Sequence, residues 1–303
     1  MPYVSTQQLM ERARRAGTVI PAFNIPYLPM VSPVVRAIRD TNSVGLVMAA
    51  RLEWVKFETG SLEALRDEYE KHKLPAHTRL HLDHIPVIDE DDRRVDYLEI
   101  IRRAVDAGYE SVMVDGSRLP LEENIACTRE VVDLAHAAGI PVEAELGAVM
   151  GHESGPLSPY EELFASGKGF TAPGEAERFV ERSGADWLSV AIGNIHGAIS
   201  AATKGQKKVA ARLNIDHLEL IHKATDAPLV LHGGTGIRKA YIMDSMKHGI
   251  AKINVATAIR QPYEAALEEG VDAACEAVYQ AMLTVINNDL EVANSAPRLN
   301  AED

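Results

Sequence analysis

The 303-residue sequence predicts a single closed (β/α)8 barrel, a TIM barrel of the α/β class. Eight short apolar runs of strand type alternate with segments of helical period, the pattern of repeated βα units around a parallel sheet. Three histidines, His84, His196 and His232, each close or directly follow one of these runs, so a barrel would bring them to the rim where such folds place their chemistry. One barrel commonly takes about 250 residues and absorbs insertions as loops. Residues 1–303 are therefore expected to form one domain, with 263–303 as a C-terminal helical extension and tail.

The expected strands are Val19 to Ile25, Ser43 to Ala50, Thr78 to His84, Ser111 to Ser117, Pro141 to Gly147, Trp187 to Ile192, Pro228 to Gly234 and Lys252 to Thr257. Helical start signals separate them. Pro120-Leu-Glu-Glu-Asn leads into an apolar period near 3.6, and Thr171-Ala-Pro-Gly-Glu sets Pro and acidic residues where a helix N-terminus favours them. Two connections exceed what a βα loop needs, Ala148 to Phe170 after the fifth run and Gly197 to Asn214 after the sixth. Loops of that length in a compact domain are usually functional or disordered, and these two are expected to act as active-site lids. The stretch from Tyr263 to Ile286 reads as one long helical segment suited to packing on a partner.

Composition excludes several classes of function. A formal charge of -13 argues against a general nucleic-acid or membrane-surface role, since phosphate backbones demand basic patches. The longest apolar runs fall short of the roughly 18 residues that span a bilayer, and the start lacks a basic segment followed by an apolar one, so a cytoplasmic protein is expected. Cys127 and Cys275 lie far apart in helical patterns, which suits reduced thiols.

Three neutral imidazoles with an open fourth position describe a catalytic zinc site, which makes His84, His196 and His232 candidate ligands. Asp83 stands beside His84, either to handle a substrate proton or to orient a histidine on the metal. Asp115 and Glu145 close the fourth and fifth runs. A carboxylate in an apolar strand is costly unless paired, protonated or bound to a cation, so both are either alternative metal ligands or structural acceptors. Of the other histidines, His72, His77, His136, His217, His222 and His248 fall in helical or linking segments and are expected at the surface. His232-Gly-Gly-Thr-Gly offers backbone N–H groups before a helix, and Asn254-Val-Ala-Thr257 opens the last one. Phosphate binding after strands seven and eight recurs in this fold.

Taken together, Pro21-Ala-Phe-Asn, His81-Leu-Asp-His, Ser111-Val-Met-Val-Asp-Gly-Ser, Leu121-Glu-Glu-Asn, Val142-Glu-Ala-Glu-Leu-Gly, Val190-Ala-Ile-Gly-Asn-Ile-His-Gly, Leu231-His-Gly-Gly-Thr-Gly and Lys252-Ile-Asn-Val-Ala-Thr resemble the class II, zinc-dependent ketose-bisphosphate aldolases of the fructose and tagatose type, in order, from about Val4 to Tyr263. The resemblance implies His84, His196 and His232 as zinc ligands, Asp115 and Glu145 near an alternative metal position, and Asp83 as the acid/base carboxylate. It implies Glu153, in Gly151-His-Glu-Ser-Gly, as the catalytic glutamate of a mobile loop. Gly197, Gly233, Thr235, Asn254 and Thr257 would cradle the phosphate of dihydroxyacetone phosphate, with Asn24, Arg51 and Lys204 as further substrate-side candidates. A monovalent cation is a candidate activator beside Zn2+, and a homodimer or homotetramer is the usual assembly.

Departures from the pattern fall on the aldehyde half. Ile85-Pro-Val-Ile and the acidic Asp89-Glu-Asp-Asp follow His84, Met48-Ala-Ala-Arg51 replaces a Gln and Ser segment, and no Asp-Pro-Arg-Lys-Tyr-type segment appears near the C-terminus. These point to a nonstandard aldehyde partner. A metal-dependent phosphosugar epimerase or isomerase, and a non-catalytic regulatory subunit, are the competing readings.

Overall fold

In the computed structural model, which describes residues 4–147, 160–194, 211–234 and 236–301, eight parallel strands close into a barrel in the order of the chain. They are β1 (Ile20–Asn24), β2 (Gly45–Ala50), β3 (Thr78–Pro86), β4 (Ser111–Asp115), β5 (Val142–Leu146), β6 (Trp187–Val190), β7 (Leu229–Leu231) and β8 (Ile250–Val255). Each expected run overlaps its strand. From β4 to β8 the strands stop earlier than expected, because the rim residues turn away from the ladder into the loops, whereas β3 continues past His84 to Pro86.

The helices between them follow from local chemistry. Helix Thr6–Arg15 is opened by a capping box in which Ser5 accepts from Gln8 N–H and the Gln8 side chain accepts from Ser5 N–H. Helix Leu121–Ala137 carries Glu122 and Glu123 in its first turn, and helix Pro173–Ser183 starts on its proline, as their sequences predict. Cys127 and Cys275 are both free thiols. No helix among the described residues is long and apolar enough to cross a membrane.

The two faces of the strands carry different residues. Outward positions are aliphatic: Val47, Leu80, Leu82, Val112, Val114, Ala144, Leu188 and Leu231 join one apolar cluster with the surrounding helices. Inward positions near the N-terminal end of the barrel, Ile20, Ala22, Leu46, Met48, Trp187 and Val230, form a second cluster with Leu9, Met10 and Ala13 of the first helix and Leu299 of the last. That cluster plugs the bottom. The upper half of the lumen is polar, and the site lies there.

The stretch Tyr263 to Ile286, expected as one helix, is divided. Helix Thr257–Ala266 and the turn Leu267–Glu269 end at Gly270, whose φ of 110° no ordinary residue adopts without strain, and helix Val271–Thr284 then begins. The second helix packs on helix Thr257–Ala266 and on helix Val31–Asp40 of the same chain. Of the two long connections, only the ends are described. Helix Tyr160–Ser166 belongs to the first, and Tyr160 Oη joins the two by donating to the Gly193 carbonyl at 3.0 Å and accepting from Arg212 N–H at 2.7 Å. The rest of both expected lids lies outside the described residues.

Candidate active site

A bulge in β3 creates the centre of the site. The register between β3 and β4 shifts between Leu82 and Ile85, one extra residue on the β3 side, and His84 adopts φ 29°. In a regular strand Asp83 and His84 would face opposite sides of the sheet. The extra residue re-aims His84, so that consecutive side chains reach one cavity, at a backbone strain of about 1–3 kcal/mol.

Asp83 is buried and clamped. Asn24 Nδ2 from β1 donates to Oδ2 at 3.0 Å, and Asn254 Nδ2 from β8 donates to Oδ1 at 3.0 Å. Burial alone would raise its pKa, but the surrounding charges of His84, Lys252, His232 and His81 outweigh it and hold the carboxyl down at about 2. Asn24 and Asn254, both expected on the substrate side, thus place their amides on the proposed acid/base group. Asn254 Oδ1 is buried with no hydrogen-bond partner among the described residues.

The imidazoles of His84 and His232 meet edge to face with ring centroids 4.4 Å apart. His232 Nε2 lies 2.8 Å from Glu143 Oε1, which orients the ring and turns Nδ1 towards Glu145 Oε2 at 3.2 Å. His84 Nδ1 lies 3.5 Å from Asp115 Oδ2, while Nε2 is 3.9 Å from Glu145 Oε2. Asp115 is itself held by the backbone N–H and hydroxyl of Ser117 at 2.9 and 2.6 Å. Burial disfavours a charged His84, yet Asp83, Asp115 and Glu145 override it and push the pKa up to about 10. Burial and the Asp115 charge raise Glu145.

Beneath this layer runs a network that sequence reasoning missed. Lys252 Nζ on β8 pairs with Glu143 Oε2 on β5 at 2.7 Å, and His81 Nε2 on β3 lies 3.4 Å from the same oxygen, all fully buried. His81 Nδ1 meets Ser111 Oγ on β4 at 2.8 Å. Strands three, five and eight are not neighbours, so these contacts cross the lumen. A signal did exist: His81, Glu143 and Lys252 stand two residues before Asp83, Glu145 and Asn254, and a period of two puts each pair on one strand face. Glu53 was missed too. It is buried in the helix Arg51–Lys56 after β2, accepts a hydrogen bond from Ala50 N–H, and is pushed up to about 8 by burial and by the Asp83 charge. Arg51 reaches not into open space but to Asp89 Oδ2, at 3.5 Å.

The donor set suits a divalent cation. One ligand atom each from Asp83, His84 and His232 falls within 4.8 Å of the others, and His84, Asp115 and Glu145 make a second such group. Carboxylates hold the far nitrogens of both rings and direct the others inward, the arrangement typical of metal-binding histidines. Of the residues expected in the site, Glu153, His196, Gly197, Lys204 and Thr235 lie outside the described residues. Asn194, two residues before His196, donates to the His232 carbonyl at 3.0 Å and accepts from Ile192 N–H at 2.9 Å, tying the chain that leads to His196 onto the end of β7. On the phosphate side, Gly233 takes φ 68°, and a Cβ on Gly234 would come within 2.6 Å of Ile253 Cγ2. Helix Thr257–Ala266 begins with no side-chain cap and no acidic residue in its first turn, which leaves its N-terminal amides available to an anion.

A barrel whose C-terminal rim gathers two imidazoles and several carboxylates has the form of a metal-assisted enzyme. The chain belongs to the family described as fructose-bisphosphate aldolase class-II, which matches residues 4–298. It is 36% identical over 262 residues to a Bacillus subtilis (strain 168) protein described as a probable fructose-bisphosphate aldolase, covering 85% of this chain and 82% of that one. Among solved structures it is similar to the YdjI aldolase from Escherichia coli K12, with TM-score 0.76, 28% identity, and 97% and 99% of the two chains covered. Fructose-bisphosphate aldolase from Campylobacter jejuni shares the fold, with TM-score 0.73, 18% identity and 96% of each chain covered. The chain is thus an aldolase, a carbon–carbon lyase, which displaces the epimerase and regulatory-subunit readings.

Proposed function

We propose that this aldolase is zinc-dependent and joins dihydroxyacetone phosphate to an aldehyde, or cleaves the corresponding ketose phosphate. The observation that carries this reading is the Asp83 carboxylate, clamped by Asn24 and Asn254 beside the paired imidazoles of His84 and His232. His84, His232 and, by the resemblance, His196 would hold Zn2+, with Asp115 and Glu145 as an alternative position. A bound cation supplies a Lewis acid for the negative charge that develops on the carbonyl oxygen of the three-carbon half.

The protein's own groups do the rest. In cleavage, Asp83 accepts the proton of the C4 hydroxyl as the C3–C4 bond breaks, and in condensation it returns that proton to the new hydroxyl oxygen. A carboxylate held down at about 2 is ionised at neutral pH and ready to accept. Its two amide donors fix its plane, so little rotation is needed at the moment of transfer. Glu153 is the proposed carrier of the C–H proton of the three-carbon ketone. The backbone of Gly233 and the N-terminus of helix Thr257–Ala266, with Asn254, Gly197 and Thr235, would hold the phosphate and so fix the reacting carbons against Asp83, and Lys204 would add positive charge. The same reading takes a monovalent cation as activator and the chain as a cytoplasmic homodimer or homotetramer.

The test is metal analysis of the purified protein combined with dihydroxyacetone phosphate-dependent condensation. Stoichiometric zinc whose chelation abolishes condensation, and whose return restores it, is the expected outcome. A folded protein that binds no zinc yet condenses at full rate would sink the metal assignment.

A further inference from the structure

The mechanism above leaves three buried groups beneath Asp83 unused: His81, Glu143 and Lys252. Two of them complete a further set of possible metal ligands, since His81, Asp83 and Glu143 each offer one atom within 4.8 Å of the others. Glu143 gives Oε1 to His232 at 2.8 Å, which leaves Oε2 for the floor of the site. His81 Nε2 lies 3.4 Å from that Oε2 and 4.0 Å from Asp83 Oδ1. Tetrahedral zinc, with ligands at about 2.1 Å, holds them about 3.4 Å apart, so the spacing is close to what the metal needs. His81 Nδ1 meets Ser111 Oγ at 2.8 Å, which fixes the ring, and Nε2 is buried with no hydrogen-bond partner among the described residues.

A cation already stands there. Lys252 Nζ, from β8, lies 2.7 Å from Glu143 Oε2 and 3.9 Å from Asp83 Oδ1, the same two oxygens that face His81 Nε2. A metal ion bound to Glu143 Oε2 at about 2.1 Å would therefore be less than about 5 Å from the ammonium, whatever its direction, and like charges that close in a dry interior exclude each other. The two cations would also treat Asp83 differently. A metal ion on this carboxylate would draw on the electron pairs with which it accepts a proton. Lys252, at 3.9 Å, stays beyond hydrogen-bonding reach and leaves Oδ1 to the Asn254 amide at 3.0 Å.

We propose that Lys252 fills a cation site formed by His81, Asp83 and Glu143, and so excludes a metal ion from the floor of the active site and keeps Asp83 free as the acid/base group. The role of Asp83 rests on the proposed function above, whereas the exclusion itself does not. A fixed ammonium supplies the positive charge that the buried carboxylates require without competing for the proton-accepting oxygens.

The experiment equilibrates wild type and variants with excess zinc, removes free metal by gel filtration and counts bound zinc by atomic absorption. Lys252→Ala should hold about one equivalent per chain more than the wild type, because metal takes the place of the missing counter-charge. For the same reason zinc should raise the Tm of Lys252→Ala by more than it raises that of the wild type. Adding His81→Asn to Lys252→Ala should return the count to the parental value. An unchanged count in Lys252→Ala, an extra equivalent that survives the loss of His81, or a Lys252→Ala protein that stays unfolded even with zinc present overturns the inference. A wild type that binds no zinc overturns the metal assignment at the rim, and the difference between Lys252→Ala and wild type still decides the floor.

Discussion

The two faces of the barrel wall are built on opposite principles. Outward residues such as Val112, Ala144 and Leu188 are aliphatic and interchangeable in kind, held by burial against the helices. Inward residues at the same height, His81, Glu143, Lys252 and His232, are buried equally deeply, yet each depends on a partner from another strand. Apolar packing degrades gradually when a methyl group is lost. A buried ionic network fails abruptly, because removing one member leaves an uncompensated charge. The difference explains how a site of many charges can sit in the middle of a protein: it is braced from below by the paired charges of Glu143 and Lys252, with His81 beside them.

The largest effect that would sharpen this contrast is at the top of the inner face. Asp83→Ala should lower kcat for cleavage by about 10²–10⁴-fold while metal content stays at the parental level. Cleavage at the parental rate would remove Asp83 from its role. One layer down, Glu143→Gln should destabilise the protein by about 3–5 kcal/mol in urea unfolding, since the buried Lys252 loses its close counter-charge and keeps only the Asp83 carboxylate, at 3.9 Å. A loss below about 1 kcal/mol would show that the network braces nothing.

Titration of the metal-free protein probes the same face. Burial opposes charge on His84, but its carboxylate neighbours raise the pKa from 6.5 to about 10, so the stability it contributes is fully present below 6.5 and is lost as the pH rises through 10. Asp83, depressed from 3.8 to about 2, contributes stability above 3.8 that is lost as the pH falls through 2. Thermal unfolding of the chelated protein should therefore be most resistant between about pH 4 and 6.5, and added zinc should remove much of the alkaline decline by taking the place of the proton. The smallest effect belongs to the outer packing. Ile38→Val should cost about 1 kcal/mol and leave kcat unchanged, and a larger change in kcat than in stability would break the separation of the two faces.

The barrel and most of its rim chemistry were legible in the chain because both are written locally. Apolar runs of strand length recur between helical periods, and Asp83, His84, Asp115, Glu145 and His232 each stand at the end of a run. His81, Glu143 and Lys252 were harder to see, since a polar residue inside an apolar run has no local partner to explain it. Gly270 likewise reads as one more residue in a helical pattern until its φ reveals the break.

What the sequence determined by itself was the kind of fold and the kind of chemistry, because hydrophobic periodicity and residue type act over a few positions. Which side chains face each other was left to closure of the sheet. The bulge that turns His84 to the side of Asp83, the two amides that clamp Asp83 from β1 and β8, and the engagement of Arg51 by Asp89 join residues up to 171 positions apart. Such contacts exist only once eight strands have closed, since no local interaction specifies a partner across the lumen.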